Sequence, residues 1–323
     1  MKLKNISEVL LSAKKIGITY HVSPDGDAVG SVLALLQGLR YLNKEAYVIS
    51  KDYLSENLRY LPCADMITGN IIEPTPDTDV VIVLDCGNLE RVCADLSNFT
   101  GVVLNVDHHL SNDNYGKYNY VDTNAAATAE IVYELLNLLG IDFTSNDKKI
   151  LDIATCIYTS LVTDTGCFRH SNVTYKTLEI ASVLKKLGVN NTYIYQSLFD
   201  NKEFDRVRFI GKVISNMKLE LDNKVALIEL PKSFGQEFGI EIGDTSDIIS
   251  YGLQIKGVEV TLLIKEVDNG VKCSLRSKND IDVRKIAEVF GGGGHIKAAG
   301  ISLKEISMIE AKEKLLNQIE KEL

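Results

Sequence analysis

The five histidines of this chain all lie within, or a few residues after, a stretch that also carries aspartate or a glycine run: His21, the pair His108 and His109, His170 and His295. Histidine changes charge near neutral pH and is a very common metal ligand, so this placement points to metal chemistry rather than to scattered surface imidazoles. The acids fall in four segments: ITYHVSPDGDAVGS with Asp25 and Asp27, VVIVLDCGNLERV with Asp85, GVVLNVDHHLSN with Asp107, and LVTDTGCFRHSN with Asp164. If Asp25, Asp27, Asp85 and Asp164 converge, each carboxylate raises the pKa of the others unless cations sit among them. Two divalent ions would neutralise all four. Mixed carboxylate and imidazole ligands favour Mn over Mg, with Fe or Co as replacements. Ions paired roughly 3.5–4 Å apart activate water and clamp a phosphoryl oxygen, so the chemistry expected is hydrolysis at phosphorus.

The elements that must position these residues lie around them. An apolar run over 16–22 ends at His21 and is followed by a helix-like pattern from Ala28 to Leu39, which gives strand, turn and helix. The wholly apolar run Val80 to Leu84 suits a central parallel strand covered on both faces by helices, with Asp85 at its end. Residues 101–106 form another such strand, ending in Asp107, His108 and His109. Adjacent residues at a strand end point opposite ways, so one histidine can face a metal and the other a substrate. In open α/β sheets ligands gather where strands end and helices begin, which brings these groups to one edge. Singly, these residues have plainer readings: Asp27 or Ser31 as a helix cap, Gly26 as a turn glycine, Asp164 as a cap. Capping needs one acid, however, and the first loop has two beside a histidine. Four such sites in half a chain favour a shared cluster. His170 is read either way, near the cleft or on a surface loop.

The order HxxPDxD, D, DHH and TDTG across residues 21 to 166, followed by CSLRSKNDIDVRKIAEVFGGGGHIKAAG over 273 to 300, resembles the DHH phosphoesterase superfamily with its DHH-associated C-terminal domain. The layout is most similar to the nanoRNase (oligoribonuclease) and 3′-phosphoadenosine 5′-phosphate phosphatase family. That resemblance implies one metal held by His21, Asp25 and Asp85 and a second held by Asp27, Asp85, His108 and Asp164, with Asp85 as the bridge. It implies that Asp107 orients the histidines and that His109 meets the scissile phosphate as hydrogen-bond donor or proton source. The implied activity is Mn-dependent hydrolysis of short oligonucleotides to 5′-mononucleotides and dephosphorylation of 3′-phosphoadenosine 5′-phosphate, with Mg or Co as alternative ions.

The far end also has a physical reading of its own. Gly291, Gly292, Gly293 and Gly294 let backbone approach an anion and aim N–H groups at it, and a short helix-like stretch follows His295. Arg276, at the end of the alternating strand Val271 to Leu275, can offer a bidentate fork to phosphate or carboxylate. Glycines alone would read as a flexible loop. With Arg276, Ser274, Ser277 and His295 close in the pattern, substrate binding is the better reading, and this domain is expected to grip a terminal nucleotide.

Strands near 16–22, 46–50, 80–84 and 101–106 alternate with helices near 27–40, 127–139, 148–162 and 175–187, the pattern of a parallel sheet wrapped by helices. Strand-like alternation at 218–230 and 258–276 surrounds helices near 245–252, 282–290 and 304–321, a second, smaller α/β domain. The expected division is a catalytic metal-binding domain over 1–188, a helical connector over 189–217 and a substrate-binding domain over 218–323. Within the connector, the charged segment Asp200 to Arg208 lacks Gly and Pro and reads as semi-rigid.

A chain of 323 residues with 45% hydrophobic content fills two cores. Its apolar runs fall far short of the roughly 20 residues that span a bilayer, and Glu8, Lys14 and Lys15 interrupt the N-terminal stretch before a signal core forms. A cytoplasmic protein without a membrane partner is expected. Six cysteines without a CxxC pair suit reduced thiols, and Cys86 and Cys167 read as packing residues. The net charge of −9 disfavours long duplexes or long strands, which need a basic track. Short single-stranded oligonucleotides and nucleoside bisphosphates fit better, and a homodimer stays open. The nearest alternative is a phosphodiesterase of cyclic di-AMP or its linear dinucleotide product. A pyrophosphatase is weaker, because such relatives carry a second domain without GGGGH. A non-catalytic nucleotide-binding regulator is weaker still, because every metal position is filled.

Overall fold

The apolar runs of the N-terminal part become parallel strands, and the amphipathic stretches between them become helices. The computed structural model describes residues 2–243 and 245–323, and the chain divides into two compact units, Met1–Asn201 and Lys202–Leu323. The first unit runs α1 (Leu3–Ser12), β1 (Lys15–Thr19), α2 (Gly26–Tyr41), β2 (Glu45–Val48), β3 (Val80–Leu84), β4 (Val102–Asp107), β5 (Tyr118–Val121), α3 (Thr128–Leu139), α4 (Lys148–Asp164), α5 (Tyr175–Leu187) and α6 (Asn191–Phe199). Its five strands are all parallel, in the order β2-β1-β3-β4-β5.

The alternation of side chains along β3 divides this unit's interior. Val80, Ile82 and Leu84 join the main core with residues of α1 to α6, whereas Val81 and Val83 face the opposite side. That second face is not helical. It is closed by loop residues such as Ile49, Ile71, Val92, Leu96 and Phe99. The unbroken apolar run reflects burial on both faces, and periodicity does not reveal whether helix or loop does the covering. Two further differences have physical causes. The strand β5 is a half-buried edge without an apolar run, and α1 hides its signal in a short stretch where only Leu3, Ile6, Ser7 and Leu10 are buried.

Two glycines of α2 let it press on α4. A side chain at Gly26 would collide with Thr163, and one at Gly30 would come within 2.6 Å of the Cys156 carbonyl oxygen. The plainer alternative for Gly26, a turn glycine, does not hold: it is the first residue of the helix, and its role is close approach. The contact sets Asp27, at the start of α2, against Ser160, near the end of α4.

The second unit runs α7 (Phe204–Ser215), β6 (Lys218–Glu220), β7 (Val225–Leu230), α8 (Lys232–Phe238), α9 (Ser246–Leu253), β8 (Val260–Val267), β9 (Gly270–Ser277), α10 (Val283–Val289), β10 (Gly293–His295), β11 (Ala298–Lys304) and α11 (Met308–Glu320). Its mixed six-stranded sheet has the order β10-β11-β9-β8-β7-β6. Val271, Cys273 and Leu275 of β9 face a core shared with α10 and α11, while Ile228 of β7 and Leu263 of β8 face α7 and α9. The segment after His295, read from sequence as a short helix, is the strand β11: Ala299 and Ile301 point inward at alternate positions. Among the described residues, no helix is long and apolar enough to cross a membrane.

Candidate active site

Strand order reverses between β1 and β3, and in open α/β sheets ligands bind in the crevice beyond the carboxyl ends of the strands at such a point. His21 lies just past β1, Asp85 just past β3, and Asp107 and His108 at the end of β4. Adjacent strands lie about 4.8 Å apart, so the sheet delivers these groups side by side. Asp85 adopts a left-handed backbone, φ +54°, which turns the chain sharply at the strand end. Asp25 and Asp27 arrive from the start of α2, and Asp164 from the last residue of α4.

The sequence-derived residues meet here. His21 Nε2 lies 3.8 Å from Asp25 Oδ2 and 3.6 Å from Asp85 Oδ2. His108 Nε2 lies 3.8 Å from Asp27 Oδ2, 3.6 Å from Asp85 Oδ1 and 3.6 Å from Asp164 Oδ2. These separations are too long for hydrogen bonds. Bonds of about 2.0–2.2 Å meeting at tetrahedral or octahedral angles place neighbouring ligand atoms about 2.8–3.6 Å apart, close to what is seen. Donor atoms of His21, Asp25 and Asp85 all lie within 4.8 Å of one another, as do those of Asp27, Asp85 and His108. Asp85 belongs to both sets.

Protonation is fixed from behind. His21 Nδ1 donates to the Val22 carbonyl at 2.9 Å, and His108 Nδ1 donates to the Ala125 carbonyl at 3.1 Å. A carbonyl only accepts, so each Nδ1 carries the proton and each Nε2 is the nitrogen presented to the acids. Asp25 does two things at once: its Oδ1 caps α2 by accepting from the Asp27 and Ala28 amides at 3.0 and 3.1 Å, while its Oδ2 faces His21. The helix cap is thus Asp25, not Asp27 or Ser31.

Electrostatics test whether cations suit this group. Burial alone lowers an imidazole, yet Asp25 and Asp85 hold His21 up to about 11, and the charges of Asp164, Asp85 and Asp27 hold His108 up to about 10. Desolvation, then the charge of Asp85, pushes Asp27 up to about 7, and burial holds Asp164 well above the carboxylate range despite His108. Burial would also raise Asp85, but His21, His109 and His108 hold it well below that range. Four carboxylates outnumber the two imidazoles, so without cations the group retains protons to limit repulsion, and Asp164 adds to the strain by ending a helix, where the macrodipole disfavours a carboxylate. Donor type, spacing and charge all fit divalent ions.

His109 is engaged differently. Its Nδ1 lies 2.7 Å from Asp107 Oδ1, and it is 3.6 Å from Asp85 Oδ1. Asp107 is fully buried, accepts from the His108 amide at 2.9 Å, and accepts at its Oδ2 from Asn112 Nδ2 at 2.6 Å. His170 is exposed and packs over Gly166, with its amide donating to the Thr165 carbonyl at 3.0 Å. Cys86 and Cys167 are unpaired, and both pack among apolar residues.

Residues 15–161 match the model of the DHH family, N-terminal domain, and residues 211–323 match the DHHA1 domain. A Thermus thermophilus protein named bifunctional oligoribonuclease and PAP phosphatase NrnA is 33% identical over 326 residues, spanning 100% of this chain and 94% of that one. The chain belongs to the DHH family. A Bacillus subtilis protein of the same name is 29% identical over 285 residues, 88% of this chain and 87% of its own. Among solved structures, an exopolyphosphatase-related protein from Bacteroides fragilis superposes with a TM-score of 0.89 at 30% identity, covering 99% of this chain and 95% of that one.

The DHHA1 part of this DHH chain holds the remaining sequence-derived residues. Register pairs His295 with Ala298 and Ala298 with Arg276, so these three form one row across β10, β11 and β9. The next row on that face is Gly293, Gly300 and Ser274. Arg276 Nη1 donates to the Leu275 carbonyl at 3.0 Å. The four glycines divide by role. Gly291 and Gly294 have φ of +72° and +141°, a side chain at Gly292 would collide with the Gly300 carbonyl, and one at Gly293 would meet open space.

Three groups at the site escaped the sequence reading: Thr128, Ser160 and Asn112. Ser160 Oγ donates to Asp27 Oδ1 at 2.5 Å and Ser31 Oγ does so at 3.1 Å. Thr128 and Ser160 are helix residues with no local mark of chemistry. Asn112, in the polar turn after His109, is the one of the three that lies beside a motif visible in the sequence.

Proposed function

We propose that this chain is a two-ion phosphoesterase that hydrolyses short single-stranded oligonucleotides to 5′-mononucleotides and dephosphorylates 3′-phosphoadenosine 5′-phosphate. The observation that carries the reading is the convergence of Asp25, Asp27, Asp85 and Asp164 on the Nε2 atoms of His21 and His108, each imidazole fixed by a backbone carbonyl behind it. The names of the Thermus and Bacillus relatives support it. In this reading His21, Asp25 and Asp85 hold one divalent ion and Asp27, Asp85, His108 and Asp164 hold the other, with Mn ahead of Mg or Co because the ligands mix imidazole and carboxylate. Such ions supply activated water and polarise a phosphoryl oxygen.

The chain's own residues do the rest. Breaking the P–O bond leaves an oxygen that needs a proton. Burial lowers His109, but the hydrogen bond to Asp107 and the charges of Asp85 and Asp107 outweigh it and raise the imidazole above its usual range, the direction that suits a proton donor. Arg276, Ser274, Gly292, Gly293, Gly294 and His295 take a substrate phosphate or terminal nucleotide. An overall charge of −9 suits substrates of few phosphates. The cysteines suit a reducing cytoplasm.

The test is a time course with Mn on a 5′-labelled RNA ladder from dinucleotide upward, beside 3′-phosphoadenosine 5′-phosphate and cyclic di-AMP. Fastest turnover of di- and trinucleotides, with phosphate released from the bisphosphate, is expected. Preferential opening of cyclic di-AMP would overturn the substrate assignment.

A further inference from the structure

Asp27 and Asp85 reach the site from different elements, α2 and β3, yet one buried residue touches both. Thr128, at the first position of α3, donates its backbone N–H to Asp27 Oδ2 at 2.7 Å and its hydroxyl to Asp85 Oδ1 at 2.9 Å. The next amide, Ala129 N–H, donates to Asp27 Oδ1 at 3.2 Å. With Ser31 and Ser160 on the same Oδ1, that oxygen is occupied by protein donors, and Asp27 Oδ2, 3.8 Å from His108 Nε2, is the one left facing the centre. The start of a helix also favours a nearby carboxylate, which lowers the cost of keeping Asp27 ionised in a buried place.

We infer that Thr128 is a positioning residue: its hydroxyl sets the rotamer of Asp85, and its amide sets that of Asp27, so that the two ion sites keep a common geometry. The inference rests on the two-ion reading above. Thr128 itself is fully buried and touches no reacting atom; it acts through the two carboxylates. The hydroxyl proton is committed to Asp85, so the carboxylate turns its remaining lone pairs towards His21 and His108. Groups that orient metal-binding side chains in this way typically change ion affinity by roughly ten- to a hundredfold when removed.

Serine and alanine at this position make the cleanest comparison. Both keep the backbone N–H and both lack the threonine methyl, so Thr128→Ser and Thr128→Ala differ by the hydroxyl alone. Calorimetric titration of Mn into the full-length, chelator-stripped chain, with thermal unfolding of the stripped protein as a measure of folding, reads the effect without turnover. Thr128→Ser is expected to bind Mn within a few-fold of wild type, and Thr128→Ala roughly ten- to a hundredfold more weakly, while the two stripped variants unfold at similar temperatures. Equal Mn affinity in Thr128→Ser and Thr128→Ala, with wild-type uptake intact, would overturn this inference alone. Weaker binding that merely tracks a lower unfolding temperature of Thr128→Ala would overturn it too, because the residue would then be structural. A wild-type chain that takes up no ion overturns the two-ion reading and this inference with it.

Discussion

His108 and His109 are neighbours in the chain with different partners. His108 presents Nε2 to Asp27, Asp85 and Asp164, whereas His109 turns Nδ1 onto Asp107 at 2.7 Å. Residues next to one another at a strand end project to opposite sides, and here that geometry separates an imidazole among three carboxylates from one held by Asp107. His108→Ala is expected to lower both Mn content and turnover. His109→Ala is expected to keep Mn content near wild type while turnover falls by roughly a hundred- to ten-thousandfold, the range for loss of a positioned proton donor. Metal analysis of the two purified variants beside their rates checks this, and equal Mn loss in both would reverse the division of labour. Asn112 completes the pair: by donating to Asp107 Oδ2 at 2.6 Å it leaves Oδ1 for His109 and the His108 amide.

At the scale of elements, three adjacent parallel strands end in His21, Asp85 and Asp107 with His108, and two helix starts and one helix end complete the centre. The antiparallel strands β9, β11 and β10 instead lay out a row in which the small Ala298 separates Arg276 from His295. If that row grips a second phosphate, it contributes only for substrates that have one. Arg276→Ala should therefore slow a dinucleotide and the bisphosphate by roughly ten- to a hundredfold relative to an aryl phosphate ester, the effect of losing about 1.5–3 kcal/mol of charge-assisted hydrogen bonding. Equal slowing of all three would make Arg276 structural.

The sequence made the strand ends plain because an apolar run stopping at an acid or histidine is a local pattern. The convergence of the acids followed from several such patterns in one half of the chain. What it could not show was non-local. Gly26 looked like a turn glycine because its neighbour across space, Thr163, is far away in sequence. Thr128 looked like an ordinary helix start because its partners Asp27 and Asp85 lie on other elements. The loops that close one face of the first sheet carry scattered apolar residues with no period, and β11 alternates so briefly that it resembled a helix fragment.

For the whole molecule, ions bound at this centre would couple to folding. His21 and His108 hold protons more tightly folded than unfolded: the stability they lend is complete below their ordinary value of 6.5 and is lost as pH rises through about 11 and about 10. Asp27 likewise holds its proton more tightly in the fold, so its share is present below 3.8 and is lost as pH rises through about 7. Asp85 and Asp107, both lowered, act in the opposite sense only at acid pH. Stripped of ions, the chain should lose stability steadily from about pH 5.5 to about pH 8.5, while Mn binding, which displaces these protons, should protect it increasingly over the same range. Unfolding temperatures with chelator and with Mn across that range check the sign, and a chelated protein that grows more stable with pH would refute it.

Residues from four separated segments build one centre whose donors suit two ions. Anomalous diffraction at the Mn edge from crystals grown with Mn would locate them. Two peaks are expected, one among His21, Asp25 and Asp85, the other among Asp27, Asp85, His108 and Asp164, about 3.5–4 Å apart. A single peak, or two that do not share Asp85, would contradict this arrangement.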